Sequence, residues 1–489
     1  MIRALRLLGI SLLTTLLWCG LAPAQGTFTG GVWTTIKNAP PVDIGHIMLL
    51  TDGSVLALGS TCGSAGGWYR LVPDRSGSYA NGTWVSAGKM PPGYNPLYFS
   101  SQVLPSGSVV VMGGEYNVCN SEWTTRGALY SPWTNKWASL TAPHGWTSIG
   151  DAQSIVLPNG KMMLANCCTT DEAILTLNAG VPGWAATGAD KFDSNDEEGW
   201  TMLPGGKVLT IDVYTSGGCC QEGYQIYDPS TGAWTTPDNT TVVNLVDPRS
   251  LEIGPAALLP NGTVFAAGAT TNNAIYTIST GTWAPGPKFG DGLDIADGPV
   301  AVLPDGNLLL NTSPGVYQVG DRFFEWDGSH LHVVHGPRNA SVDSSYYGHM
   351  VVLPTGQVLF TDFSQTVELY TSAGAPCAGC APTITSVAAT LTHGSTNNLI
   401  QGMQFNGVTQ GAYYGDDDQS FTNFPLVRIT DSTGRIVYCR THAWAGGVAT
   451  GTKLVSTQFD IPPGIALGTA SLEVVANGIA SAPVAVTID

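Results

Sequence analysis

Short apolar runs separated by turn residues fill most of the chain, and one phrase recurs: an apolar run, Leu-Pro, a turn residue, Gly and a second apolar run. It reads LLTDGSVLAL around Gly53, VLPSGSVVVM around Gly107, VLPNGKMMLA around Gly160 and MLPGGKVLTI around Gly206. It continues as LLPNGTVFAA around Gly262, VLPDGNLLLN around Gly306 and VLPTGQVLFT around Gly356. The glycines are 54, 53, 46, 56, 44 and 50 residues apart. Each phrase predicts a strand, a glycine-containing hairpin turn and a second strand.

A tryptophan follows most hairpins before the next begins: Trp33, Trp84, Trp137, Trp184, Trp234 and Trp283. A hairpin plus an outer strand carrying a packing tryptophan describes a four-stranded blade, and a period near 50 matches kelch-type blades. The fold class expected is therefore all-β: a seven-bladed kelch-type β-propeller over residues 25–375. FTGGVW at 28–33 is expected to add a strand beside VELY at 367–370 and close the ring, which leaves no free edges. After a short linker at 376–381 the hairpin phrase stops. Residues 382–489 alternate as sandwich strands, which predicts a C-terminal Ig-like (early-set) β-sandwich.

Composition agrees with this reading. The chain has 489 residues with 61 Gly, 31 Pro and only 11% charged residues, which argues against helix bundles and coiled coils. The net charge of -17 excludes nucleic acid as a partner, since phosphate binding needs a basic face. Arg3 and Arg6, the apolar stretch Leu7 to Leu17 and Ala22-Pro23-Ala24 read as a cleavable secretory signal over residues 1–24. No later apolar run is long enough to span a bilayer. The expectation is a secreted or periplasmic monomer without membrane insertion. Export favours disulfides. The doublets Cys167-Cys168 and Cys219-Cys220 look like partners across neighbouring units, Cys377 could close a loop with Cys380, and Cys62 could meet Cys119. Cys439 is then left over.

In a propeller the first strand of each blade lines the central channel. Nine residues before the repeat glycines lie Ile44, Tyr98, Asp151, Glu197, Ile253, Asp297 and Tyr347. Ten before them lie Asp43, Leu97, Gly150, Asp196, Glu252, Ala296 and Tyr346. His46 and His349 both stand seven before their glycines. Asp43, Asp151, Glu197, Glu252 and Asp297 thus become candidate ligand-binding residues at one mouth of the channel. Such acids could hold a hard cation such as calcium through oxygen. Tyrosine and histidine could instead hold copper. The group could also bind a polyhydroxylated ligand, or simply accept backbone N–H bonds where the strands begin.

These blades, followed by a sandwich carrying Tyr414-Gly415-Asp416-Asp417 and Asn423-Phe424-Pro425-Leu426-Val427-Arg428, resemble the galactose oxidase and glyoxal oxidase group of kelch proteins. The resemblance covers about residues 25–489 and is most like a bacterial subgroup. It implies one copper, two tyrosines, two histidines and a cysteine cross-linked to one tyrosine. Tyr98 falls at the cross-linked tyrosine and Tyr346 at the axial one. The histidine expected next is displaced, since Tyr347 and Gly348 precede His349. Ile44 stands near the place of the cysteine. His442 is the candidate for a last histidine from a sandwich loop. Tyr98, Tyr346 and Tyr347 are therefore candidate catalytic residues, and His349 and His442 candidate copper ligands.

Three functions compete. The acidic mouth and the export signal favour binding, or modification, of a carbohydrate or cell-surface ligand. The resemblance suggests a divergent copper-dependent alcohol or aldehyde oxidase that releases hydrogen peroxide. The third is a structural or adhesion module. No GxSxG elbow, P-loop, dinucleotide fingerprint or HExxH motif occurs.

Overall fold

A computed structural model describes residues 28–59, 67–178, 181–215, 218–219, 223–448 and 453–489. The expected signal segment, Cys62 and Cys220 lie outside the described residues. The fold is all-β: among the described residues the one helical element is a turn at Ser345–Tyr347, and no described helix is long and apolar enough to cross a membrane.

Each recurrent phrase forms the central hairpin-plus-strand of one antiparallel sheet. The first sheet runs Ile44–Leu49, Val55–Gly59, Gly67–Val72 and Thr83–Lys89. The same four-strand meander repeats in sheets beginning at Ser100–Val103, Ser154–Val156, Thr201–Met202, Ala256–Leu258 and Val300–Val302. The last sheet, His349–Val352, Val358–Thr361 and Glu368–Thr371, takes its outer strand from the front of the chain. Val32–Thr35 pairs with it antiparallel, Trp33 opposite Tyr370. The chain leading into the first sheet is thereby bonded into the last, and Ile44 N donates to Ser364 O at 3.0 Å across the seam.

The local chemistry explains the hairpins. All seven repeat glycines have a left-handed φ, between 74° and 93°. Each donates its N–H back to the leucine three residues earlier, as in Gly107 to Leu104 at 2.7 Å and Gly306 to Leu303 at 2.9 Å. Proline in the second turn position presets φ, and only glycine takes the last position without steric cost.

The tryptophans lie on the outer strands, as the pattern predicts, and all but Trp283 clip their sheet to what precedes it. The indole N–H of Trp137 donates to the Ala87 carbonyl at 2.9 Å, Trp184 to Thr141 at 2.8 Å and Trp84 to Asn38 at 3.0 Å. Trp33 closes the series on His335 at 2.6 Å.

The inner strands are buried throughout and bond across to one another: Ser101 meets His46, Gln102 donates to Ser154, and Thr201 donates to Ala256. The C-terminal strands form two further sheets. Leu391, Ile400, Val427, Ile429, Phe459 and Leu472 pack between them as one core. This unit sits against the hairpin turns, with Thr441 N donating to Thr51 O at 3.1 Å and Ala443 N to Pro105 O at 2.7 Å.

From it a segment runs into the centre of the ring. Thr409 to Ser420 is continuously buried. Ala412–Tyr413 pairs with Val300–Val302 as an extra strand. Gln410 accepts from Met202 N, Gln419 from Ser101 N and Ser154 Oγ, and Ser420 donates to Met350 O.

The cysteines depart from expectation in one respect. Cys167 and Cys168 bond to each other, not to another unit's doublet: the turn that puts Cys168 at φ 69° brings adjacent sulfurs together. The Cys377–Cys380 disulfide forms, Cys119 is disulfide-bonded, and Cys439 is buried and free.

The hairpin glycines carry a graded cost. Gly206→Ala would put a methyl 2.5 Å from Pro158 at φ 91°, whereas Gly262→Ala, at φ 79°, meets nothing within 4 Å. Strain at φ alone costs about 1–2 kcal/mol. Chemical denaturation should therefore show Gly262→Ala losing about that much and Gly206→Ala losing clearly more, about 2–4 kcal/mol. Equal losses would mean the Pro158 contact yields freely.

Candidate functional site

At the end of the ring away from the hairpins, the first strands begin with a turn in left-handed backbone. Tyr98 has φ 52°, Glu197 φ 59° and Asp297 φ 43°. Non-glycine residues occupy this region at a cost and rarely without reason. Here all three side chains line one cavity of about 340 Å³.

Six of the residues singled out from sequence line this cavity: Tyr98, Asp151, Glu197, Glu252, Asp297 and Tyr346. The inserted segment adds Tyr414, Asp416 and Asp417, and loops of the ring add Glu115, Tyr116 and Tyr317. Among the described residues the lining thus holds seven carboxyl groups and five phenols, and no Lys, Arg or His.

Burial and mutual repulsion hold Glu115, Asp151, Glu197, Asp297, Asp416 and Asp417 in the protonated direction. Burial pushes Asp151 up to about 7, with Glu115, Asp196 and Glu252 adding to it. Asp196 behind it rises to about 6. Burial, then the neighbouring acids, raise Glu197, Asp297, Asp416 and Asp417 well above the ordinary carboxylate range. Burial also raises the Tyr98 and Tyr414 phenols. Carboxylate oxygens of Glu197, Asp297 and Asp416 lie within 4.8 Å of one another. Tyr317 donates to Glu252 Oε1, while Glu252 Oε2 and Asp417 Oδ1 are buried without a hydrogen-bond partner.

Directly beneath lies a second cluster. Asp418, at φ 41°, is pinned by its N–H on the Phe99 carbonyl at 2.9 Å. Its Oδ2 is 2.9 Å from His349 Nε2, and its Oδ1 is 4.0 Å from His46 Nδ1. Burial pulls His46 down to about 4. Tyr414 stacks on His349 with 5.0 Å between ring centroids, which separates this cluster from the cavity.

The remaining sequence candidates fall elsewhere. Asp43 stands outside the cavity and accepts from Gln365 at 3.2 Å; its strand begins at the next residue, whereas those after Asp151, Glu197, Glu252 and Asp297 begin three or four residues on. Tyr347 packs on Tyr346 and Phe363 instead of joining the lining. His442 is on a strand of the C-terminal unit and holds Asp460 at 3.1 Å. It does not meet His349. The donor set that the resemblance implies for copper is therefore not assembled: the inserted segment brings Asp416, Asp417 and Asp418 where a histidine was expected, and Ile44 is a core residue. The residues present do not fit that centre.

Sequence reasoning overlooked the inserted acids as site residues. Their signal was present: three consecutive aspartates in an otherwise uncharged, glycine-containing stretch of the sandwich. Glu115, Tyr116 and Tyr317 sit on loops outside the repeat ruler and carried no such signal.

The raised carboxyls set a pH dependence. The native state holds protons that the unfolded chain has lost above pH 4, so stability falls as pH rises. For Asp151 the window runs from 3.8 to about 7 and for Asp196 from 3.8 to about 6. His46 acts oppositely between about 4 and 6.5, one group against many. Urea denaturation of chelator-treated protein should show stability decreasing from pH 5 to pH 7.5. Asp151→Asn should flatten the fall by about 2–4 kcal/mol. A rising profile would contradict this account.

No protein family profile and no curated protein matches the chain. Among solved structures it is similar to a fungal alcohol oxidase of the AA5 family in complex with copper, at 11% identity and TM-score 0.50, covering 94% of this chain and 99% of that one. It also matches a streptogramin B lyase at 10% identity and TM-score 0.47, over 70% of this chain and 98% of that one. A third match is the extracellular domain of a protein assigned as a one-component system of B. thetaiotaomicron, at 11% identity and TM-score 0.43, over 84% of this chain and 52% of that one. The first of these likenesses, spanning nearly all of both chains, shows the fold alone: a β-propeller fold like that of the galactose oxidase-like enzymes.

Proposed function

We propose that the chain is an exported, seven-bladed kelch-type propeller with an Ig-like C-terminal sandwich, and that its acidic cavity binds a carbohydrate of a cell surface or secreted glycan. The observation that carries this reading is the lining itself: seven carboxyl groups and five phenols on a cavity of about 340 Å³ without a cationic side chain. Sugar hydroxyls are recognised by such acceptors, and phenol rings such as Tyr98 and Tyr414 offer flat apolar faces beside them. An anionic ligand is disfavoured by the same lining. A sugar carrying an amino group would gain most, since its charge would meet unpartnered carboxylate oxygens.

Carboxyls kept protonated next to ionised ones also form the acid–base pairs used in proton transfer to glycosidic oxygen. Modification of the bound glycan is thus open to the same residues. A second reading, a calcium-like ion in the cavity, is favoured by the mutual approach of Glu197, Asp297 and Asp416 oxygens. The copper oxidase reading draws on the fold of the fungal relative, and the donor set found here does not support it.

Glycan arrays followed by titration calorimetry test the proposal. Wild-type protein should retain a defined set of glycans, amino sugars foremost. Asp297→Asn and Tyr98→Phe should weaken that binding about 10–100-fold, the loss expected when a charge-assisted hydrogen bond is removed. Retention of no glycan by wild-type protein, or equal binding by both variants, would reject the assignment.

A further inference from the structure

The buried cluster beneath the cavity is not used by that reading, and with neutral imidazoles and an ionised Asp418 its hydrogen bonds do not add up. Ser101 Oγ donates its one proton to the Gln419 carbonyl at 2.8 Å. The contact of 3.0 Å between Ser101 Oγ and His46 Nε2 must then be filled by the histidine's N–H. A neutral His46 therefore carries a bare lone pair on Nδ1. That atom is fully buried, has no hydrogen-bond partner, and faces the Asp418 carboxylate at 4.0 Å. A lone pair facing a carboxylate repels it.

His349 repeats the pattern. Its Nδ1 lies 3.2 Å from the Tyr347 carbonyl, which can only accept. A neutral His349 serves only one of its two acceptors: a proton on Nδ1 leaves Nε2 as a lone pair 2.9 Å from Asp418 Oδ2, and a proton on Nε2 leaves Nδ1 facing the carbonyl. In the Nδ1-protonated form each imidazole spends one N–H on a fixed protein acceptor and turns its other nitrogen toward the same carboxylate. This is how metal-binding histidines are held, the outer acceptor fixing the tautomer and the ring.

The donor atoms of His46, His349 and Asp418 all lie within 4.8 Å of one another. Bonds of about 2.0–2.2 Å to a common ion place donors about 3–4 Å apart. The two separations to Asp418, 2.9 and 4.0 Å, fall at the ends of that range. Two imidazoles and one carboxylate are a donor set for zinc, iron(II) or manganese, not for calcium.

We propose that His46, His349 and Asp418 bind a divalent transition-metal ion that fastens the inserted segment to the ring. His46 belongs to the first sheet, His349 to the last, and Asp418 to the insertion. The ion ties these three parts at the seam where the ring closes. Of these ligands only His349 belongs to the set implied by the family resemblance. The cluster is enclosed by Phe99, Phe363 and Tyr414 rings, so the ion's role is to hold structure.

The test offers zinc chloride to purified full-length protein, dialyses it and measures metal by elemental mass spectrometry. Wild-type protein should retain an equimolar amount and melt at a higher temperature than after chelation. His46→Ala, His349→Ala and Asp418→Asn should lose the metal and the upward shift, while His442→Ala keeps both. Should those variants fail to fold, cobalt(II) added to chelated wild-type protein gives a second readout: visible absorption bands of nitrogen and oxygen ligation, displaced by zinc. Substoichiometric retention of zinc, manganese, iron(II) and copper(II) alike overturns the proposal. So does a metal whose retention is lost with Glu197→Gln but not with His349→Ala. Glycan binding can fail without affecting any of these outcomes.

Discussion

The molecule depends on a single geometric constraint: a ring of sheets leaves an axis lined by inner strands, and whatever fills that axis must satisfy their buried polar groups. Thr409 to Ser420 fills it. The segment borrows the hydrogen-bonding of a strand where it lies beside Val300–Val302, and uses Gln410, Gln419 and Ser420 side chains where it does not. Buried backbone groups left unpaired would cost free energy comparable to a lost hydrogen bond each. The C-terminal unit is therefore not an appendage to the ring but the source of its centre.

That choice of plug dictates the electrostatics. The insertion delivers Asp416, Asp417 and Asp418 to a place where the ring already supplies Asp151, Glu197, Glu252 and Asp297. Like charges brought together in a desolvated space favour protonation or a cation. Tyr98, Glu197, Asp297 and Asp418 all sit in left-handed backbone at the same place. Strain of this kind persists only where surrounding structure over-determines it. The glycine hairpins, the indole clips and the Val32–Thr35 closure supply that rigidity from outside the site.

How much of this was legible in the chain follows from which features repeat. The seven hairpin phrases and the outer tryptophans each answer to a local rule of turn chemistry or strand burial, so they can be read one unit at a time. The ruler from each glycine found Tyr98, Asp151, Glu197, Glu252, Asp297 and Tyr346 because a fixed number of residues separates turn and mouth in most sheets. It failed at Asp43, whose strand starts one residue after it. Glu115, Tyr116 and Tyr317 lie on loops without period, and Tyr414 to Asp418 come from a distant unit. Their place is set by a long-range insertion that no local pattern encodes. The vicinal Cys167–Cys168 bond was missed for the opposite reason: its partner is too near for a rule built on pairing between units.

The insertion also explains why likeness of fold does not carry over to the metal chemistry the resemblance implied. A redox copper centre of that kind needs its histidines to converge on the tyrosines. Here Tyr414 lies between them, stacked on His349 on one side and facing Tyr98 with 6.5 Å between ring centroids on the other. The phenols therefore belong to the cavity and the imidazoles to the layer below. The layers meet at the Tyr414–His349 stack and through consecutive residues of one segment, Asp417 above and Asp418 beneath. A charge or ligand that displaces Asp417 must act on Asp418 through a single peptide bond, and Asp418 is already held in a strained conformation by Phe99 and His349. The cavity lining and the seam beneath thus share one stretch of backbone, so neither can be built without the other.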